Sequence, residues 1–433
     1  MRPFESTLSM GKTRSRSVWW PGRLLAAVLL LAPTFSGRVA GAEDALATWT
    51  LADGRLGTST NVAWRLAYGN GRLVAVGGDA TYASVPGGSW RKVFWGIASD
   101  VIYAAGTFVG VPGSGGPAQW SVDGETWRFY EEIQPESESA IAYGRGYFLS
   151  VACGLPNGIV ACRLGADGKW QFEVLDWDAL MGCTEALCYG KGRFVMSNVL
   201  LLRTSFDSTK WPVTFEAESA GFGFIWDVAY GNGTFVASGD DYTSDVAATN
   251  SAMLLTSSEA ANWTRRGPVR GPHRGVAYAA GVFVGAGPDG TVYTSTDAVD
   301  WTPRKLDTSV AMEDVVFAAG RFVAIGRDGT VAYSDVVPQY VSTPRFRVRD
   351  CLRLPDGPMS LAVEAPYGRE VVVEASEDMV NWREITRDPC DRGEFEVYDE
   401  AAKDLKQRYY RAWQSPPTRR ASKKQFPISF SEA

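Results

Sequence analysis

The stretch Tyr278–Val284, YAAGVFV, decides the fold, because six other stretches repeat it. They are YGNGRLV from Tyr68, YAAGTFV from Tyr103, YGRGYFL from Tyr143, YGKGRFV from Tyr189, YGNGTFV from Tyr230 and FAAGRFV from Phe317. Their second glycine-slot residues are Gly71, Gly106, Gly146, Gly192, Gly233, Gly281 and Gly320, at successive spacings of 35, 40, 46, 41, 48 and 39. A repeat of that length without helical periodicity marks a propeller blade or a β array.

One unit, from Gly275 to Arg304, shows how a blade is written. Val276–Tyr278 and Val282–Ala286 are apolar runs joined by Ala-Ala-Gly, a tight hairpin connection in which glycine takes positive φ. Pro288–Asp289–Gly290 makes a second turn, Thr291–Ser295 a third strand and Trp301–Arg304 a fourth. Two residues before each aromatic stand Leu66, Val101, Ile141, Leu187, Val228, Val276 and Val315, followed by a small or apolar residue. A strand that is apolar on both faces belongs between two neighbouring sheets. The expected fold is all-β: a seven-bladed β-propeller over residues 43–336. Its last unit runs into Pro338 without a Trp-bearing fourth strand, whereas Ala47–Leu51 (ATWTL) resembles the fourth-strand phrases near Trp263 and Trp301. The N-terminal segment is therefore expected to supply the missing outer strand and close the ring.

The ends differ from the middle. Lys12, Arg14, Arg16 and Arg23 precede the apolar run Leu24–Ala32, and Ala40–Gly41–Ala42 offers small residues for cleavage, so residues 1–42 read as a signal peptide, with Met10 as an alternative start. The run of nine is far short of the roughly 20 residues a membrane span needs. No later stretch is long and apolar enough to span, and the expected location is secreted, periplasmic or cell-surface. Residues 337–414 alternate polar and apolar in six short segments and suggest a small C-terminal antiparallel β-sandwich. Residues 415–433 read as a basic flexible tail.

Net charge is −6, which argues against general nucleic-acid binding. Six cysteines in an exported chain point to disulfides. Proximity alone pairs Cys153 with Cys162, Cys183 with Cys188 and Cys351 with Cys390; buried thiols are the alternative, above all for Cys188. With His273 the one histidine and no CxxC pair, no metal site and no cofactor is expected. The loop Asp240–Asp245 has oxygens enough for Ca²⁺ but reads more simply as a solvated acidic loop.

Several units carry Ser-x-Asp-x-x-x-Trp before the fourth strand: Ser121/Asp123/Trp127, Ser205/Asp207/Trp211 and Ser295/Asp297/Trp301, with Glu259 replacing Asp in Ser257/Glu259/Trp263. Over residues 47–336 the chain thus resembles the Asp-box (BNR, sialidase-like) repeat propellers of exported bacterial proteins. The resemblance implies that these carboxylates hold turns on the outer rim, away from any active site. The segment VVVEASEDMVNWREI, from Val371, with the later RYYRAW looks like the C-terminal β module of many multidomain exported bacterial proteins.

Propeller ligands bind on loops and inner-strand ends at a channel mouth. Three and four residues before each aromatic lie Trp64/Arg65, Ser99/Asp100, Ser139/Ala140, Glu185/Ala186, Trp226/Asp227, Arg274/Gly275 and Glu313/Asp314, a ring that is neither uniform nor apolar. Trp64, Arg65, Trp226, Asp227 and Arg274 are the ligand-binding candidates, since aromatic platforms beside charged groups suit a glycan or a peptide. The bland alternative is that they cap strands and pair with one another. If the protein is an enzyme, Asp100, Glu185, Asp227, Glu313 and Asp314 are the candidate carboxylates of a glycosidase, which needs two flanking the scissile bond. The arginine triad, Tyr–Glu pair and Phe/Tyr-Arg-Ile-Pro motif of true sialidases are not found. The leading reading is an exported, monomeric binding or interaction protein recognising a glycan or protein at the channel mouth. The alternatives are an extracellular glycoside hydrolase of sialidase-like fold and a ligand-free assembly scaffold.

Overall fold

The computed structural model describes residues 46–431 apart from 58–62, 78–79, 97, 113–116, 131–137, 153–157, 165–168, 177–183, 199, 218–222, 242–251, 267–270, 338–346, 356, 366–369, 391, 406 and 415–426. The described elements are strands, save for a single 3₁₀ turn at Glu400–Ala402. Up to Val337 they form seven antiparallel sheets of four strands. The first strands of the seven are Arg65–Gly69, Asp100–Ala104, Glu138–Gly144, Ala186–Gly190, Ile225–Gly231, Val276–Ala279 and Met312–Ala318. In the first six sheets the strands follow chain order. The seventh takes its outer strand, Trp49–Arg55, from the other end of the chain, antiparallel to Thr330–Ser334 with Trp49 opposite Ser334 and Leu51 opposite Ala332.

Each first strand touches the first strand of the next sheet, and the seventh touches the first, so the sheets run round a ring. Seven buried clusters fill the seven gaps between neighbours. Phe322 and Met312 pack with Val282 and Val284 between the last two sheets, and Trp64 and Leu73 with Val323 and Ile325 across the gap from last to first. The first strands are buried on both faces, as Val101 and Ile102 show by facing opposite clusters. The described residues up to Val337 form a β-propeller.

The repeated phrase has a double physical cause. Its two middle residues both take positive φ, for example Asn70 (48°) with Gly71 (73°) and Ala319 (48°) with Gly320 (83°). That is the type I′ hairpin, whose twist matches the flanking strands. The glycine directly after the tyrosine answers a different need: a Cβ on Gly69 would lie 2.0 Å from the Tyr103 ring, and one on Gly231 2.0 Å from Tyr278. Tyr103, Tyr189, Tyr230 and Tyr278 therefore seat on a neighbour's glycine, whereas Ala104, Ala279 and Ala318 fill that place in the other three units; within the hairpin, Tyr230 packs on Phe235 at 4.6 Å between centroids.

Beyond the ring, Arg347–Arg353, Met359–Glu364 and Glu394–Asp399 form one sheet, and Arg383–Asp388, Val371–Ser376, Gln407–Gln414 and Pro427–Ser431 another. Leu361, Val363, Val371, Val373, Val397 and Tyr410 share one core. The strand Pro427–Ser431 corrects the expectation of a flexible tail to residue 433. Its alternating Pro-Ile-Ser-Phe-Ser sequence pairs with the open edge of Gln407–Gln414, as an edge strand can.

This C-terminal part rests on the hairpin turns of the ring. Glu396, half-buried, accepts the backbone N–H groups of Lys191 and Gly192 (3.4 Å for the latter) and the Ser360 hydroxyl (3.1 Å). Arg145 reaches the Tyr398 hydroxyl at 3.1 Å, and the Ala280 N–H donates to the Arg392 carbonyl at 3.0 Å. Leu354 lies over Gly192, where any Cβ would come within 2.3 Å of it. Turns of the third, fourth and sixth sheets are thus engaged, and the opposite ends of the inner strands are left to form the other mouth.

Candidate functional site

At that other mouth, three inner strands carry, at or near their start, an aspartate that links two sheets. Asp100 accepts its neighbour Val101 N–H at 2.8 Å and Ile141 N–H of the next sheet at 3.0 Å. Asp227 does the same with Val228 (2.8 Å) and Val276 (2.6 Å), and Asp314 with Val315 (2.7 Å) and Leu66 (2.7 Å). Burial raises the Asp100 carboxyl to about 6 and Asp314 to about 7, and also raises Asp227, despite the Arg65 charge that favours ionisation. Both oxygens of each group are occupied by backbone donors. Three of the five candidate carboxylates therefore serve as staples between sheets, each oxygen already accepting a backbone N–H.

Arg65 lies among these staples. Burial opposes its charge, yet Asp314, Asp100, Asp227 and Glu313 outweigh that cost and hold its guanidinium above the usual arginine value. Beside it opens a recess of about 340 Å³, open solvent included, lined by Ala63, Arg65, Glu185, Trp226, Arg274, Gly275 and Glu313. Six of those seven occupy the third or fourth place before an aromatic, so the sequence's irregular ring supplies the walls. Gly275 is needed for the sheets to meet, since a Cβ there would lie 2.3 Å from Asp314 Oδ1.

The wall residues are held as a network. Glu313 takes Arg327 Nε at 2.6 Å. Arg274 stacks its guanidinium 4.0 Å above the Trp226 ring and approaches Asp240 (3.9 Å) and Glu313 (4.0 Å) only at the limit of ion pairing. Trp226 Nε1 donates to Asp240 Oδ2 at 2.6 Å, and the other Asp240 oxygen meets His273 Nδ1 at 2.9 Å. Although burial pushes the other way, those two hydrogen bonds and Arg274 hold the Asp240 carboxyl below its ordinary value. Glu185 is raised by burial, with Arg65 and Arg274 pulling back at a distance.

Trp64 is not on this surface. It is 0% exposed, packed edge-on against Tyr82 in the gap between the first and last sheets. It is correct to place it in the core and not among ligand contacts: a large apolar ring gains more by leaving water there than at the mouth. Asp227 likewise belongs to the staples. Arg65, Trp226 and Arg274 line the recess, together with Glu185 and Glu313.

The outer turns behave as local devices. Asp123 Oδ1 accepts Glu125 and Thr126 N–H at 2.8 and 2.7 Å while Trp127 Nε1 donates to the Gly124 carbonyl at 3.1 Å. Burial opposes ionisation, but these bonds together outweigh it and lower the Asp123 carboxyl to about 2. Asp207 and Asp297 repeat the pattern. Glu259, a methylene longer, reaches instead to Lys191 and Arg193 of the preceding sheet. A further copy, missed in the sequence although Ser376-x-Asp378-x-x-x-Trp382 spells it, lies in the C-terminal part: Asp378 accepts Val380 and Asn381 N–H at 2.8 and 2.7 Å. The turn is therefore a local solution that does not need a ring.

Among the cysteine assignments, Cys153 and Cys183 lie outside the described residues, as does the side chain of Cys351. Cys162 and Cys390 are buried, and the Cys390 thiol lies 3.5 Å from the Ala365 carbonyl. Cys188, in the inner strand of the fourth sheet, has its thiol raised by burial. In the acidic loop, Asp240 and Asp241 are engaged by Trp226, His273 and Arg265, and residues 242–245 lie outside the described set. Among the described residues, no group of three or more His, Cys, Asp or Glu gathers for a metal, and no helix is long and apolar enough to cross a membrane.

No protein-family model and no curated protein sequence matches the chain. Solved structures do. Virginiamycin B lyase from Staphylococcus aureus is similar over 67% of this chain and 100% of its own, at 8% identity and a TM-score of 0.53. A catalytically inactive variant of that lyase with quinupristin covers the same shares at 9% identity and a TM-score of 0.52. At such identities the likeness is one of β-propeller fold.

Proposed function

We propose that this chain is an exported interaction protein: a seven-bladed propeller, closed by its N-terminal strand, that recognises a partner at the channel mouth carrying Arg65, Glu185, Trp226, Arg274 and Glu313. A C-terminal β-sandwich module rests on the opposite face. The observation that carries the reading is the recess itself, a concavity of mixed charge placed where the repeat stops repeating, on the face the C-terminal part leaves open. A protein partner fits better than a glycan. Of the two tryptophans that would serve as sugar platforms, Trp64 is in the core and Trp226 has Arg274 across its face. Glycoside hydrolysis is the second reading and now falls to Glu185 and Glu313, since the three aspartates are committed to backbone bonds.

Binding to the purified secretome of the source cell and to a glycan panel tests the proposal. Trp226→Ala is expected to weaken partner binding tenfold or more with the melt unchanged. Equal capture by both proteins rules out the mouth, and turnover of a glycan that disappears in Glu185→Gln moves the reading to the hydrolase.

A further inference from the structure

The charges at the mouth pair off unevenly. Arg65 is balanced by the three staple aspartates, and Glu313 by Arg327 at 2.6 Å. What remains facing the recess is the Arg274 guanidinium and the Glu185 carboxylate. Arg274 is held by its stack on Trp226 and by contacts of 3.9 and 4.0 Å, which are too long for hydrogen bonds. Glu185 makes no side-chain hydrogen bond or ion pair among the described residues, although it lines the same recess. Opposite charges that share a small concavity without touching leave a gap that neither closes alone.

Resting on the reading of this mouth as a binding site, we propose that the recess takes a ligand carrying an ammonium and a carboxylate side by side, the ammonium on Glu185 and the carboxylate on Arg274. A guanidinium pre-oriented by an aromatic face is suited to forked recognition of a carboxylate. A half-buried carboxylate with no partner gains most from a cation that enters with its own counter-charge, because the pair brings no net charge into the recess. Two sources present this chemistry: a free α-amino acid, or adjacent lysine and glutamate side chains on a polypeptide.

Calorimetric titration of the full chain tests this with three sets of probes: the free amino acids; their N-acetyl and their amide derivatives; and an acetylated, amidated peptide containing Lys-Glu, with Lys-Gln and Gln-Glu controls. The expected result is binding of either a free amino acid or the Lys-Glu peptide, weakened at least tenfold when one charge is removed from the ligand. Glu185→Gln should then abolish discrimination against loss of the ammonium, and Arg274→Gln discrimination against loss of the carboxylate. Free amino acids binding alone identifies the small ligand; the peptide binding alone identifies the protein source. Indifference of all ligands to removal of either charge, indifference of both variants, or no binding by any probe overturns the charge-pair proposal. If that happens while a partner still depends on Trp226, the mouth stands as a site and only its ligand chemistry falls; if partner capture ignores Trp226, the site falls with it.

Discussion

The two ends of each inner strand follow opposite rules. At the turn end, seven units carry nearly the same aromatic, glycine and apolar residues, and they do so for geometric reasons: two positive-φ residues in every unit and, in four, a neighbour's ring pressed onto the backbone. At the opposite end the residues vary, and apart from the staple repeated at Asp100, Asp227 and Asp314 their contacts differ from sheet to sheet. Where one interaction must be made seven times, the sequence repeats; where each sheet contributes once to a shared lumen, it does not. Repetition and variation thus separate along a strand of four to seven residues.

The contrast can be broken most severely from outside the repeat. Removing residues 46–55 strips Leu46, Trp49 and Leu51 from the gap between the last two sheets and opens the edge of Thr330–Ser334. Burial of two or three such side chains is worth ~5 kcal/mol, so the melting temperature should fall by ~10 °C. A melt within a degree of the intact chain means the ring does not depend on this strand.

At the turn end, Gly231→Ala places a methyl against Tyr278 and should cost about 1–3 kcal/mol in denaturant unfolding, as overpacking does. The natural alanines at the equivalent places, Ala279 and Ala318, are already accommodated, so Ala318→Gly should change stability far less. Equal effects from the two substitutions would show that the aromatic seat is not what the glycine serves.

At the mouth end the expected effect is one of pH. The Asp314 carboxyl is raised by burial from its ordinary 3.8 to about 7, so between those values the folded chain holds a proton that the unfolded chain has released. Its contribution to stability is full below about pH 4 and declines as pH rises towards 7. Asp314→Asn should flatten that decline, while also weakening the link to Leu66 because an amide nitrogen cannot accept from a backbone N–H. Unfolding free energies at pH 5 and pH 8 measure both effects. A pH slope unchanged in the variant excludes Asp314 as its source. The same sign applies to Glu396, raised by burial to about 7 between the ring and the C-terminal part: their contact should loosen from pH 5 to pH 8 as seen by limited proteolysis, and Glu396→Gln should remove the difference.

The smallest expected change returns to the turns. Ala105 and Ala319 hold φ near 49° and 48°, a region that disfavours an L-residue with a β-carbon. Asparagine, which already fills the place at Asn70 and Asn232, should raise stability by about 0.5–1 kcal/mol in either position. A loss of stability would mean that neighbouring packing outweighs the turn.

Much of this was legible in the chain. The hairpins, the doubly buried inner strands and the outer Ser-x-Asp turns depend on residues within a few positions of one another, and local spacing reports them. The N-terminal closure could be read because Ala47–Leu51 resembles other outer strands. The tail was misread because the pairing of Pro427–Ser431 depends on an open edge elsewhere. Trp64 and Trp226 occupy equivalent places in their repeats, yet one is sealed in a core and the other stacks under Arg274. No local pattern distinguishes them, because the difference lies in what the neighbouring sheet presents.

The sequence by itself determined the β-repeat architecture and the positions at which variation is concentrated, since turn conformation and alternation are properties of short segments. Tertiary structure alone decided what those varied residues do. Asp314 is a staple because the amide it holds lies 248 residues away, and Glu185 faces an open recess because Arg65, Trp226 and Arg274 arrive there from three other sheets. Whether a carboxylate is spent on the fold or left for a ligand depends on partners that only ring closure brings within reach.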